Sequence, residues 1–181
     1  MKPVKLASNK GLARLNFSKN LDGFTLLETI VALGVFTIAI SAALTLANQS
    51  IESSRVAKAR FIASSLAEEG IEGVRNKRDT NWLASLTGPD IDWRTGLSDG
   101  SYELNVSETG ISFASNANRF LKFDSATGLY NYAGSGSTAY QRKIDISTVS
   151  ADEMKVISTI TWRLKSKNYS FVVEEHLFNW K

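Results

Sequence analysis

The sequence predicts an α+β protein: a long N-terminal α-helix, membrane-spanning over its first half and amphipathic over its second, packed on an antiparallel β-sheet head. Three observations predict it. From Thr29 to Ile51 no side chain is ionisable, a run of about 23 positions that spans about 34 Å as a helix, against about 30 Å of bilayer hydrocarbon. Small and apolar residues then recur at three- and four-residue steps, at Ala59, Ile62, Ala63, Leu66, Ala67, Gly70 and Val74, which is the spacing of one helix face. Beyond residue 79 the pattern changes to short alternating runs separated by Gly, Asn, Asp and Ser, the signature of strands and turns.

The first element, residues 1–23, is a basic leader. It carries Lys2, Lys5, Lys10, Arg14 and Lys19 with Asp22 as its sole acid. The whole chain has 21 basic and 18 acidic side chains, so the leader's five and one leave 16 against 17 in the remainder. The net charge of +3 and the basic pI therefore belong to the leader. That distribution weakens nonspecific nucleic-acid binding as a function, and no specific nucleic acid is expected as a partner.

The second element, residues 24–51, is the apolar run, and Glu28 stands at its start. A carboxylate at the centre of a spanning helix costs about 2.5–3.5 kcal/mol even on lenient insertion scales, so its placement near one end calls for a reason. Three readings of the leader and apolar run compete. They form a signal anchor oriented by the positive-inside rule; or a cleaved signal peptide, with Ala47 before the cut, although the run is longer than the usual apolar core of such peptides; or the cut falls between Gly23 and Phe24 and the apolar helix becomes the new N-terminus. Only the third gives Glu28 a task. A free ammonium on Phe24 would lie four residues from the Glu28 carboxylate, and negative charge is favoured at a helix N-terminus. In a protein-packed environment that carboxylate needs a cation, which an ammonium from a neighbouring chain would supply.

The third element, residues 52–78, continues the helix in amphipathic form. No proline interrupts the stretch from Phe24 to about Arg75, where the helix is expected to end. Gly70 and Gly73 read as fraying or close packing near that end. The fourth element, residues 79–181, is the β-rich head. Asn76–Asn81 and Leu86–Asp90 read as connections. Tyr102, Leu104 and Val106 alternate as in a half-buried strand, while 120–123, 129–132 and 142–147 are candidate short strands. The clearest strand is 154–164, with Met154, Val156, Ile160, Trp162 and Leu164 on one parity. Lys165–Asn168 can turn the chain into a last strand over 169–180, giving a C-terminal hairpin. Gly134–Ser137 reads as a flexible loop tip.

Catalytic chemistry finds little support. The absence of cysteine excludes disulfides and thiolate metal sites. His176 is the single histidine, so no histidine cluster exists, and its place after Glu174 and Glu175 suits a polar sheet position. Asp90, Asp92 and Asp99 have the chemistry to ligate calcium but not the spacing of an EF-hand, and loop aspartates are commonly turn formers. No metal and no cofactor is expected. The aromatics Trp82, Trp93, Trp162, Trp180, Tyr130, Tyr132 and Tyr140 suit either a sticky binding platform or sheet packing, and their spacing along candidate strands favours packing.

Basic leader, Gly23, Phe24-Thr25-Leu26-Leu27-Glu28 and then Ile30-Val31-Ala32-Leu33 resemble the processing site of type IV pilins and type II secretion pseudopilins. The resemblance covers about the first 50 residues. It implies that a prepilin peptidase cleaves after Gly23 and methylates the amino group of Phe24, with Glu28 serving in methylation and in subunit docking. It also implies a pilin-like fold, a structural rather than enzymatic role, and as partners the peptidase, other pilin or pseudopilin subunits, membrane lipid and an inner-membrane assembly platform. The location implied is the cytoplasmic membrane, N-terminus in the cytoplasm and head outside, then a filament. The unbroken apolar half lacks the proline of many major pilins, which points to a minor pilin or pseudopilin, and the chain lacks the cysteine pair of many type IVa pilins, which leaves open whether the system is a type IV pilus, type II secretion or competence machinery. The alternative is an uncleaved, membrane-anchored binding or adhesion module.

Overall fold

The structure, a computed structural model, describes residues 23–107 and 110–179 of the 181-residue chain. The leader through Asp22, and Trp180, lie outside the described residues. Two compact units divide the chain, one ending at Asn48 and the other beginning at Gln49. The helix α1, Leu26–Thr87, contributes to both.

In the first unit α1 is the sole element among the described residues, and each of them is exposed. An 18-residue window of the helix reaches a mean hydropathy of 2.4, with none of it buried. Hydroxyls within this apolar stretch are satisfied locally. Thr29, Thr37, Ser41 and Thr45 donate to the carbonyls of Leu26, Gly34, Thr37 and Ser41 at 2.8–2.9 Å, the back-bonding by which Ser and Thr enter helices without leaving an orphan polar group.

In the second unit the remainder of α1 packs on a seven-stranded antiparallel sheet. Its strands are β1 (Gly100–Ser107), β2 (Gly110–Ser115), β3 (Phe120–Phe123), β4 (Tyr130–Asn131), β5 (Gly136–Ser150), β6 (Glu153–Leu164) and β7 (Lys167–Phe178). The order is β2-β1-β5-β3-β4, with β6 also paired to β5 and β7 outside it. The 15-residue β5 organises the sheet. It pairs with β3 along its first half, with β1 along its second, and with β6 over most of its length.

Two apolar clusters join helix to sheet. Ala59, Ala63, Leu66 and Ala67 meet Leu121, Ile160 and Trp162. Farther along α1, Ile71 and Val74 meet Leu97, Leu104, Ile144, Ile146, Met154, Val156 and Leu177. Each such aliphatic side chain stabilises the fold by about 1.5–3 kcal/mol on full burial. Small residues on α1 set how near the sheet lies. A Cβ on Gly73 would fall inside contact distance of Leu104 Cδ2 with Cδ1 at 3.0 Å, and one on Gly70 would collide with Ser158 Oγ. The two glycines are therefore close-packing positions in mid-helix, not a frayed end.

The structure corrects several boundaries. The helix does not stop near Arg75 but runs to Thr87, and within the polar stretch 76–81 the side chain of Asn81 finds tertiary partners. Asn81 is buried and its amide donates to the carbonyls of Trp93 and Thr95 at 3.1 and 2.8 Å. The strand expected over 142–147 extends back to Gly136, so Gly136 and Ser137 are strand residues, and a Cβ on Gly136 would meet the Phe123 carbonyl oxygen at 2.8 Å. The strand over 129–132 shrinks to Tyr130–Asn131. The final turn is Lys165–Ser166, with Lys165 at φ 56°. Strand β2 had no counterpart in the sequence reading.

Candidate functional site

The residues Gly23, Phe24 and Thr25 precede the helix and lie in no regular element. Thr25 caps it. Its hydroxyl accepts the Glu28 N–H at 3.2 Å and its carbonyl accepts the Thr29 N–H at 3.1 Å, which satisfies one of the four donors that every helix start leaves open. The Thr25-Leu26-Leu27-Glu28 spacing is that of a capping box, a signal the sequence itself carries. Glu28 is thus the acid of the first turn, where the helix dipole favours it. Phe24 is 78% exposed, and a Cβ on Gly23 would meet no atom within 4 Å. Packing within the described chain does not account for a glycine at 23.

The other sequence candidates have structural tasks. His176 Nδ1 lies 2.5 Å from Glu153 Oε1 and Nε2 lies 3.4 Å from Glu174 Oε1. The hydrogen bond with Glu153 foremost holds its pKa above the ordinary histidine value, against desolvation. Asp92 accepts the Arg94 N–H at 2.8 Å, a turn contact, and Asp99 accepts from Thr148 at 2.7 Å and from Arg94 at 3.1 Å. Among the described residues no three His, Cys, Asp or Glu side chains gather as a metal set. Trp93 and Trp162 are buried in the two clusters. Phe123, Tyr130, Tyr140, Trp162 and Tyr169 form a continuous series of ring contacts, ending in a stacked pair 5.5 Å apart. This is the sheet packing expected from their spacing.

Three charged side chains that the sequence does not single out are buried, Arg78, Arg142 and Glu103, the first paired with Asp79 at 2.7 Å. Arg142, 1% exposed, donates to Glu69 Oε2 at 2.9 Å and to the carbonyls of Leu66 and Leu104 at 3.3 and 2.7 Å. It ties α1 to β1 and β5. Glu103, also 1% exposed, accepts from the N–H groups of Ala117 and Arg119 and from the Arg119 guanidinium at 2.7–3.0 Å. Burial alone would raise its carboxyl pKa, but the Arg119 and Ala117 donors outweigh it and hold it below the ordinary value. The available signal for Arg142 was parity: it shares the inward alternation of Ile144 and Ile146, where a charge must find a partner.

An exposed, non-helical Gly23–Phe24 link thus leads into a capped helix whose apolar stretch, through Ile51, has a single ionisable group, in its first turn. Residues 19–44 match the family model of the prokaryotic N-terminal methylation motif. No curated protein and no solved structure matches the chain. The motif and the apolar helix fit a membrane-anchored protein.

Proposed function

We propose that this chain, whose methylation motif is the one typical of type IV pilins and pseudopilins, is the precursor of a minor pilin or pseudopilin. The motif supports a pilin-like precursor and points to a structural subunit. In this reading the prepilin peptidase cuts between Gly23 and Phe24 and methylates the Phe24 amino group. The subunit waits in the cytoplasmic membrane with its head outside, and an assembly platform then moves it into a filament of like subunits.

The carrying observation is the match over residues 19–44, a span that contains Gly23, Phe24 and Glu28. Local geometry supports it. The bond to be cut lies outside the helix, two residues before the first helical position, so a protease need not unwind α1. Nothing within the described chain crowds Gly23, which suits a small residue selected by an external subsite. In lipid, Glu28 can sit at the interface; in a filament core its charge needs a partner, and the Phe24 ammonium of a neighbour supplies one.

Mass spectrometry of the membrane-extracted protein tests this reading. The expected N-terminus is N-methylated Phe24. An intact Met1 terminus in cells that contain the peptidase overturns it and leaves the uncleaved anchored module.

A further inference from the structure

We infer that the cleft between α1 and the β6–β7 turn binds the phosphate headgroup of an anionic phospholipid, in the leaflet that receives the far end of the apolar run. The inference rests on the membrane-anchored reading above.

Two basic segments meet there. Residues 49–67 carry Arg55, Lys58 and Arg60 with one acid, Glu52, and residues 161–173 carry Arg163, Lys165 and Lys167 with none. Lys165 Nζ lies 2.6 Å from Glu52 Oε2, which fastens the turn to the helix and occupies that acid. Between the segments is an open cleft of about 510 Å³, lined by Arg60 and Lys167 with Gln49, Ser53 and Tyr169. Glu52 is the one acid of its lining. Two cations beside neutral hydrogen-bonding side chains form a fitting cradle for a phosphodiester and the hydroxyls of its headgroup.

Position in the chain selects lipid over a soluble anion or a protein. Gln49 and Ser53 flank Ile51, the last residue of the uncharged run, so a bilayer that accepts the run delivers its headgroup layer to these turns. Helical side chains lean toward the helix N-terminus, and long basic ones extend toward an interface, so Arg55, Lys58 and Arg60 lean back toward the lipid. Their presence also needs an explanation. Basic residues close to a span favour the cytoplasmic side, so three of them on the far flank oppose the proposed topology unless they gain something there. Attraction to anionic headgroups supplies that gain.

Native mass spectrometry of the full chain in detergent, with equimolar phosphatidylglycerol and phosphatidylcholine, tests the site. We expect phosphatidylglycerol to be retained in preference by about tenfold, as for one or two cations at an anionic surface. Arg60→Gln combined with Lys167→Gln, both at exposed positions, should abolish the preference, whereas Lys122→Gln on β3 should leave it intact. Equal retention of the two lipids by the unmodified chain, or an unchanged preference in the double variant, overturns the inference. So does displacement of the lipid by an equal concentration of inorganic phosphate, which would mark a site for small anions. The same spectra report the N-terminus: an uncut chain with the preference defeats the processing reading alone, and a cut chain without it defeats this inference alone.

Discussion

Replacing Arg142 with Met should loosen the helix from the sheet. The guanidinium is buried and donates to Glu69, Leu66 O and Leu104 O. The charge-assisted bond is worth about 1.5–3 kcal/mol, and the two carbonyls lose roughly 1 kcal/mol each. Relief of the guanidinium's own desolvation offsets part of this. Glu69 remains 29% exposed, so water can recover some of its solvation. A net loss of about 2–4 kcal/mol follows, which for a unit of this size lowers Tm by about 8–15 °C. Trp93 and Trp162, both buried in the second unit, report its unfolding by fluorescence in detergent-solubilised protein. Removing both partners, as Glu69→Met with Arg142→Met, should cost less than the sum of the single changes, with a coupling of about 1.5 kcal/mol or more. A single variant within about 0.5 kcal/mol of the unmodified protein, or a coupling of zero, would refute the view that this pair clamps α1.

Gly73→Ala adds a methyl group against fully buried Leu104, so an overpacking cost of about 1–3 kcal/mol should exceed the gain of about 1 kcal/mol in helix propensity; Gly34→Ala, with open space around it, should not destabilise, and thermal melts compare the two. His176, the one histidine, should titrate above 6.5 by NMR, because Glu153 foremost, with Glu174, favours its protonated form. A raised folded-state pKa contributes stability that is complete below the unfolded value and fades as pH rises through the folded one, so amides at the Glu153–Phe178 end of the hairpin should show lower protection factors, corrected for the intrinsic exchange rate, at pH 8 than at pH 6; a midpoint at or below 6.5 would remove the effect. Glu28→Val should leave the precursor inserted in the membrane but poorly incorporated into filaments, measured by fractionating sheared filaments from cells, and normal incorporation would sink the proposed docking role.

How far such features were readable depends on whether their cause is local. A run without charge, interrupted by one carboxylate, is one-dimensional, so the apolar helix and Glu28 stood out. The alternation in β6 was equally plain, since Met154, Val156, Ile160 and Trp162 repeat at every second place and all are buried. Its third inward position, Ser158, carries a hydroxyl and gave no apolar signal; it is small because Gly70 of α1 lies over it. The helix end is hidden in the sequence for a similar reason. Asn76 to Asn81 have the composition of a loop, and only the carbonyls of Trp93 and Thr95, more than ten residues away, make Asn81 a good helix residue. Strand β2 carries just Ile111 and Phe113 as alternating apolar positions and pairs with β1 alone, too short a pattern to register before its partner is known.

The two units differ in whether the chain completes itself. From Ala59 onward buried residues recur, and the charges drawn inside, Arg78, Arg142 and Glu103, have partners from the same unit. From Gly23 to Arg55 only Glu52 is even partly covered, although the stretch through Ile51 is the most apolar in the protein. That surface must be covered from outside, by lipid first and, in the proposed assembly, by other subunits. Apolar packing alone discriminates weakly between neighbouring axial positions, because a shift of one helical turn replaces Leu, Ile, Val and Ala with more of the same. The hydroxyls of Thr29, Thr37, Ser41 and Thr45 add no discrimination, since each has spent its proton on its own helix. Glu28 is then the group between Phe24 and Ile51 whose energy changes sharply with position, as an unpaired carboxylate in a water-poor core costs several kcal/mol and a paired one far less. A single charge can set register there because the remainder of the helix has been kept uncharged.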